Sequence, residues 1–129
     1  MSAVVKEGFS QIEAMLSGAQ GVKGLPTGYR RLDELLLGLQ DSELILLAAR
    51  PSMGKTALAL NIAENVAIRA EEPRRVAIFS LEMSKESLLL RLLGAHANIN
   101  IHRLRGGLPN QVDTQLVTDA LGKIGGAPL

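Results

Sequence analysis

The stretch Ala48-Ala49-Arg50-Pro51-Ser52-Met53-Gly54-Lys55-Thr56 constrains this chain more than any other. It follows the pattern G-x-x-x-x-G-K-S/T, except that Ala49 stands at the first glycine. The pattern carries meaning only between a strand and a helix. Glu43 to Ala48 is a short apolar run of strand length, and Ala57 to Ala67 is rich in helix formers, with Leu58, Ile62 and Val66 four residues apart. The turn between them predicts a cradle for a polyphosphate. Backbone N–H groups converge at the helix start, where the helix dipole adds partial positive charge. Gly54 lets the backbone approach a phosphate without a Cβ, and Lys55 sets its ammonium on the outer phosphates. The Thr56 hydroxyl completes the oxygen shell of a Mg²⁺ ion. The plain alternative is a tight turn with an incidental Gly-Lys-Thr.

The remainder of the chain sets limits around that loop. At 129 residues it is about one domain. Hydrophobic residues make up 47%, enough for a packed core, yet there are two Phe, one Tyr and no Trp, so the core is aliphatic. The absence of cysteine excludes a disulfide framework and a thiolate metal site and suits a reducing cytoplasm. Fourteen basic residues against thirteen acidic give no strong field, so charge argues neither for nor against nucleic acid. No secretory signal is visible at the N-terminus, and no apolar run approaches the ~20 residues of a membrane span.

Taken in order, Ala3 to Leu16 reads as an amphipathic helix with Val5, Phe9, Ile12 and Leu16 on one face. It packs either on its own domain or on a neighbouring subunit. The glycine-rich stretch that follows, residues 19–24, reads as a hinge. Leu25 to Tyr29 is a turn, and Arg31 to Leu37 a short helix stopped by Gly38. After the loop helix, Pro73 interrupts helicity and Arg75 to Leu81 reads as a second strand. Strand, crossover helix and strand predict a right-handed βαβ unit with parallel strands. Ligands of such sheets sit at the carboxyl ends of the strands. Glu82 lies there, either activating a water for attack on a phosphoryl group or serving as a favourable charge at a helix start. Ser84 predicts an N-cap for a helix from Lys85 to Ala97 with Leu88, Leu89, Leu92 and Leu93 on its apolar face. His96 and His102 have no metal-ligand spacing and read as structural, and Arg103 and Arg105 as solvated. Gln111 to Ile124 predicts a last helix with Leu116, Val117, Ala120, Leu121 and Ile124 on one face. Neither Asp113 nor Asp119 follows an apolar strand, so no second acidic residue for Mg²⁺ is found. With two strands only, the chain looks like the first part of a larger ATPase domain.

These motifs together resemble the C-terminal RecA-like motor domain of the DnaB-type replicative DNA helicases. Gly24-Leu25-Pro26-Thr27-Gly28-Tyr29 with Leu32-Asp33 resembles the start of that domain. Ala48 to Thr56 matches the family's phosphate loop, in which alanine often replaces the first glycine, and Asn61-Ile62-Ala63 continues it. Ser80-Leu81-Glu82-Met83-Ser84 matches the next motif, and Asn98-Ile99, Arg103-Leu104-Arg105 and Gly107-Leu108 follow in order. Leu36-Leu37-Gly38 and Asp41-Ser42-Glu43 depart from the family's turns without touching the phosphate chemistry.

The resemblance implies an α/β fold, a RecA-like P-loop NTPase with a parallel sheet flanked by helices, here truncated. It implies a linker helix over 1–18, a hinge over 19–24 and a partial ATPase domain over 25–129. The nucleotide would be ATP, held by Ala49, Arg50, Pro51, Ser52, Met53, Gly54, Lys55 and Thr56, with Mg²⁺ on Thr56. Glu82 would be the catalytic glutamate, assisted by Lys55. Ala3 to Leu16 would dock on the adjacent subunit of a homo-hexamer encircling single-stranded DNA and moving 5′ to 3′. Primase and a helicase loader would be its partners, the cytoplasm its compartment, and no membrane would be involved. The DNA-contact loops, the Mg²⁺-binding aspartate and the arginine finger would lie outside these residues. The rival readings are another RecA-like ATPase, such as a recombinase or clock-type regulator, and a non-catalytic nucleotide-binding or assembly module.

Overall fold

The computed structural model describes residues 24–101 and 111–129, together with the isolated positions Glu13 and Gly106. Apart from Glu13, the Ala3 to Leu16 helix therefore lies outside the described residues, as do residues 19–23 of the hinge, His102, Arg103 and Arg105. Four α-helices are present among those described: α1 (Arg30–Leu36), α2 (Lys55–Glu64), α3 (Lys85–Ala97) and α4 (Gln111–Gly126). A π-helical turn, Asn65–Arg69, prolongs α2.

The segment before α1 is pinned by a buried acid. Thr27 is fully buried, and both its backbone N–H and its hydroxyl donate to Asp33 Oδ1 at 2.7 Å. Asp33 sits in the first turn of α1, where the helix dipole also favours a carboxylate. The helix ends as expected, with Leu37 in the left-handed region and the Gln40 side chain donating to the Leu37 carbonyl at 3.0 Å. Leu25 and Leu39 then exchange backbone hydrogen bonds of 2.8 Å, closing a loop around α1. That loop is fastened to α2 and its π-helical extension by two amides. Asn65 Nδ2 donates to the Thr27 carbonyl at 2.9 Å, and Asn61 Nδ2 to the Tyr29 hydroxyl at 3.2 Å. Gly28, at φ +82°, lies against the Asn65 side chain, where a Cβ would collide.

The core lies between α2, α3 and α4. Leu60, Leu92, Leu93, Ala120 and Ile124 are buried together, with Ile68, Leu88 and Ala97 packed against them. The observed faces are narrower than the expected ones. On α2 the buried apolar residues are Leu60 and Ala63, continued by Val66 and Ala67; of the expected Leu58, Ile62 and Val66 stripe, Val66 is buried and Leu58 and Ile62 are half-buried. The helix is apolar nearly all round, so several stripes fit its sequence equally well. Leu89, Leu116 and Leu121 are exposed, although periodicity places each on an inner face. Ser84 caps α3 as expected, its hydroxyl accepting from the Ser87 N–H at 3.3 Å.

The expected strands are not seen among the described residues. Among the described residues there is no β-strand, and neither Glu43 to Ala48 nor Arg75 to Leu81 enters a ladder. The parallel pairing of these two segments is therefore not seen among the described residues. A strand exists only through hydrogen bonds to a neighbouring backbone. Arg74 N–H instead donates to the Val66 carbonyl at 3.1 Å and Val76 N–H to the Pro128 carbonyl at 2.9 Å. Leu44 and Phe79 are 95% and 94% exposed, so apolar side chains of these segments meet solvent.

The Thr27–Asp33 pair generates a stability prediction. Thr27→Val keeps the shape and removes one donor from a buried carboxylate. It is expected to destabilise the chain by about 1.5–3 kcal/mol, the range for hydrogen bonds to charged groups. Urea unfolding followed by circular dichroism measures it, and an unchanged midpoint refutes it.

Candidate functional site

The loop leading into α2 folds by local rules. Ser52 and Gly54 adopt the left-handed region, at φ +64° and +86°, and Met53 N–H donates to the Arg50 carbonyl at 3.3 Å. Gly54 is the N-cap of α2, and its carbonyl accepts from Leu58 N–H at 2.9 Å. At φ +86° a side chain would be strained, although no atom lies within 4 Å of the place a Cβ would take. Glycine is thus required by the backbone turn, and the space in front of it is open. The first amides of a helix have no carbonyl one turn back to accept them. Lys55, Thr56 and Ala57 occupy those positions in α2.

The second part of the site comes from the approach to α3. Ser80 Oγ accepts from the Met83 N–H at 3.0 Å, which folds residues 80–83 into a compact turn. Glu82 is exposed on that turn, just before the Ser84 cap. An open cleft of about 860 Å³ runs between α2 and the segment 75–83. Lys55 and Thr56 line it from the head of α2, and Ser80 and Glu82 from the turn. Its floor is apolar, formed by Leu60, Ala63, Val66 and Leu88 among others.

Of the residues singled out in the sequence, Lys55, Thr56 and Glu82 are thus brought to one cleft. Ala49, Arg50, Pro51, Ser52 and Met53 lie on the exposed loop and do not line it. The donor set suits a polyphosphate with its metal: an ammonium, a hydroxyl and helix-start amides face open space. Sequence reasoning missed Glu64, which is 2% exposed. Its Oε1 accepts from Arg69 Nε at 2.7 Å and lies 2.9 Å from His96 Nδ1. The signal available was an acid continuing the spacing Thr56–Leu60–Glu64 in an otherwise apolar helix.

Comparison with known proteins bears on the family and the fold. The family model described as "DnaB-like helicase C terminal domain" matches residues 24–129. The chain is 45% identical over 121 residues to "Replicative DNA helicase DnaC" of Bacillus subtilis (strain 168), covering 94% of this chain and 26% of that protein. It is 44% identical over 124 residues to "Replicative DNA helicase DnaB" of Geobacillus stearothermophilus, covering 96% and 27%. The chain therefore spans about a quarter of the length of these relatives. Among solved structures, one described as an "ATPase Domain" superimposes with a TM-score of 0.84 at 30% identity, covering 97% of this chain and 44% of that one. A second, described as "The Structure Of A DnaB-Like Replicative Helicase And Its Interactions With Primase", gives a TM-score of 0.76 at 30% identity, covering 93% and 29%. The fold is accordingly of the RecA-like ATPase type. With 106 of its residues inside the family match (129 − 24 + 1), the chain belongs to the DnaB-like helicase C-terminal domain family.

Proposed function

We propose that this chain is the leading part of the motor domain of a replicative DNA helicase and that its cleft is the ATP site. One cleft lined by Lys55, Thr56 and Glu82 supports this reading. Lys55 and the amides at the head of α2 bind the phosphates and stabilise the charge that develops on the transferring phosphoryl group. The residues Ala49 to Met53 wrap the same phosphates from the exposed loop. Thr56 would hold Mg²⁺, which supplies charge neutralisation when bound. Glu82 accepts a proton from the attacking water and orients it.

The same reading extends to the fold and to the partners. In the complete domain, residues 43–48 and 75–81 become strands of a parallel sheet, completed by neighbours that these residues lack. The Ala3 to Leu16 helix is the linker that docks on an adjacent subunit, the stretch 19–24 its hinge, and the ring a homo-hexamer around single-stranded DNA. Primase and a loader are its partners in the cytoplasm. Among the described residues no helix is long and apolar enough to cross a membrane.

Five outcomes test this reading. The natural full-length protein is expected to unwind duplex DNA in the 5′ to 3′ direction when given ATP and Mg²⁺. A complete protein without unwinding activity returns the chain to the other RecA-like ATPases. In that protein Lys55→Ala is expected to weaken ATP binding tenfold to a hundredfold, from the loss of roughly 1.5–3 kcal/mol of charge-assisted contacts. Glu82→Gln is expected to retain binding and lose turnover, measured by equilibrium nucleotide binding and phosphate release. The isolated 129-residue chain is expected to hydrolyse ATP no faster than its own Glu82→Gln variant. It is also expected to bind an apolar dye through the exposed Leu44, Leu46, Phe79 and Leu81, whereas the full-length protein binds less per motor domain. Equal dye binding argues against the completed sheet.

A further inference from the structure

We propose that Glu64 and His96 form a register pin between α2 and α3 that sets Glu82 opposite Lys55 and Thr56, a role that rests on the ATP site proposed above. On α2, Thr56, Leu60 and Glu64 recur every four residues and so share one face. On α3, Leu88, Leu92 and His96 do the same. The two faces meet at three levels. Thr56 and Leu88 line the cleft. Leu60 and Leu92 are buried together in the core. Glu64 and His96 meet at 2.9 Å at the far end. Both helices therefore begin at the cleft and are tied together about 12 Å along their axes, eight residues at about 1.5 Å each.

The middle level does not fix how far α3 slides along α2. Hydrophobic contact is non-directional, and leucine on leucine tolerates an axial shift. A hydrogen bond weakens steeply with distance and angle, so it selects one register. The Glu64 and His96 side chains are only 3% and 12% exposed, so water does not readily substitute for their contact. An ionised Glu64 only accepts, which makes His96 Nδ1 the donor. The pin is not needed merely to neutralise the acid. Arg69 already does so from the other side at 2.7 Å, with half of its own side chain in solvent. In an α-helix Arg69 would stand about 140° round the axis from Glu64, and the π-helical turn brings it back. His96 is thus free to serve position. Any slide of α3 is transmitted to the Ser84 cap and to Glu82 two residues before it.

A misplacement of about 1 Å in a reacting group costs on the order of a hundredfold in rate. In the natural full-length protein, His96→Ala is expected to lower kcat for ATP hydrolysis about tenfold while KM stays within about twofold. His96→Asn places an amide N–H where Nδ1–H stands and is expected to restore most of kcat. Thermal melting checks that each variant is folded, and His96→Leu, which keeps the bulk without the donor, replaces His96→Ala if that variant does not fold. An unchanged kcat in a folded variant lacking the donor overturns the pin. So does a loss that His96→Asn fails to restore. The controls are Lys55→Ala and Glu82→Gln. If these retain hydrolysis, the ATP-site reading itself fails. If they abolish it while the His96 variants behave like wild type, only the pin fails.

Discussion

Burial of one face of α2 is the constraint on which the other elements depend. Its Leu60 lies in the only apolar cluster that joins three helices among the described residues, with Leu92 and Leu93 of α3 and Ala120 and Ile124 of α4. Asn61, and Asn65 just beyond its end, hold the segment from Thr27 to Tyr29. The helix is therefore clamped both by apolar contact and by hydrogen bonds. The two kinds of contact have different consequences. Apolar contact supplies most of the free energy and leaves sliding and rotation open. The amide and carboxylate contacts add less energy but remove that freedom, because a hydrogen bond weakens steeply once its distance or angle changes.

The cleft inherits its geometry from this clamping. Lys55 and Thr56 belong to the first turn of α2, so their placement is that of the helix. The Gly54 turn, at φ +86°, aims the helix start away from the incoming chain and leaves its amides facing open space. Glu82 comes from a separate segment, and its placement follows from α3 through the Ser84 cap and the Ser80–Met83 turn. The arrangement of this cleft is only as well defined as the packing of the two helices that carry its halves.

What can be read from the sequence divides along the same line. The helix after the phosphate loop, the Ser84 cap and the short helix before Gly38 are legible to within two residues, because each depends on a few neighbouring residues. The buried face of α2 is not, because Ala57 to Ala63 offers apolar residues on every side and periodicity cannot choose among them. His96 reads as structural and Glu64 draws no notice, although their contact spans 32 positions of sequence. Nothing in either local neighbourhood announces the other. The two expected strands illustrate the same limit. Residues 43–48 and 75–81 have strand composition, yet a strand is a relation between two backbones, and composition names only one of them.

The exposed segments also bear on energetics. Leu44, Leu46, Phe79 and Leu81 each leave most of their surface in water. Burying such a side chain is worth about 1.5–3 kcal/mol, so four of them represent about 6–12 kcal/mol. That is comparable with the whole net stability of a typical domain, about 5–15 kcal/mol. Patches of this size on a folded surface mark places where another surface belongs. Leu47, Phe79 and Leu81 line the same cleft as Lys55, Thr56 and Glu82. A surface that covers Phe79 and Leu81 therefore also borders the cleft. Burial of these apolar side chains and the shape of the cleft are therefore coupled through Leu47, Phe79 and Leu81.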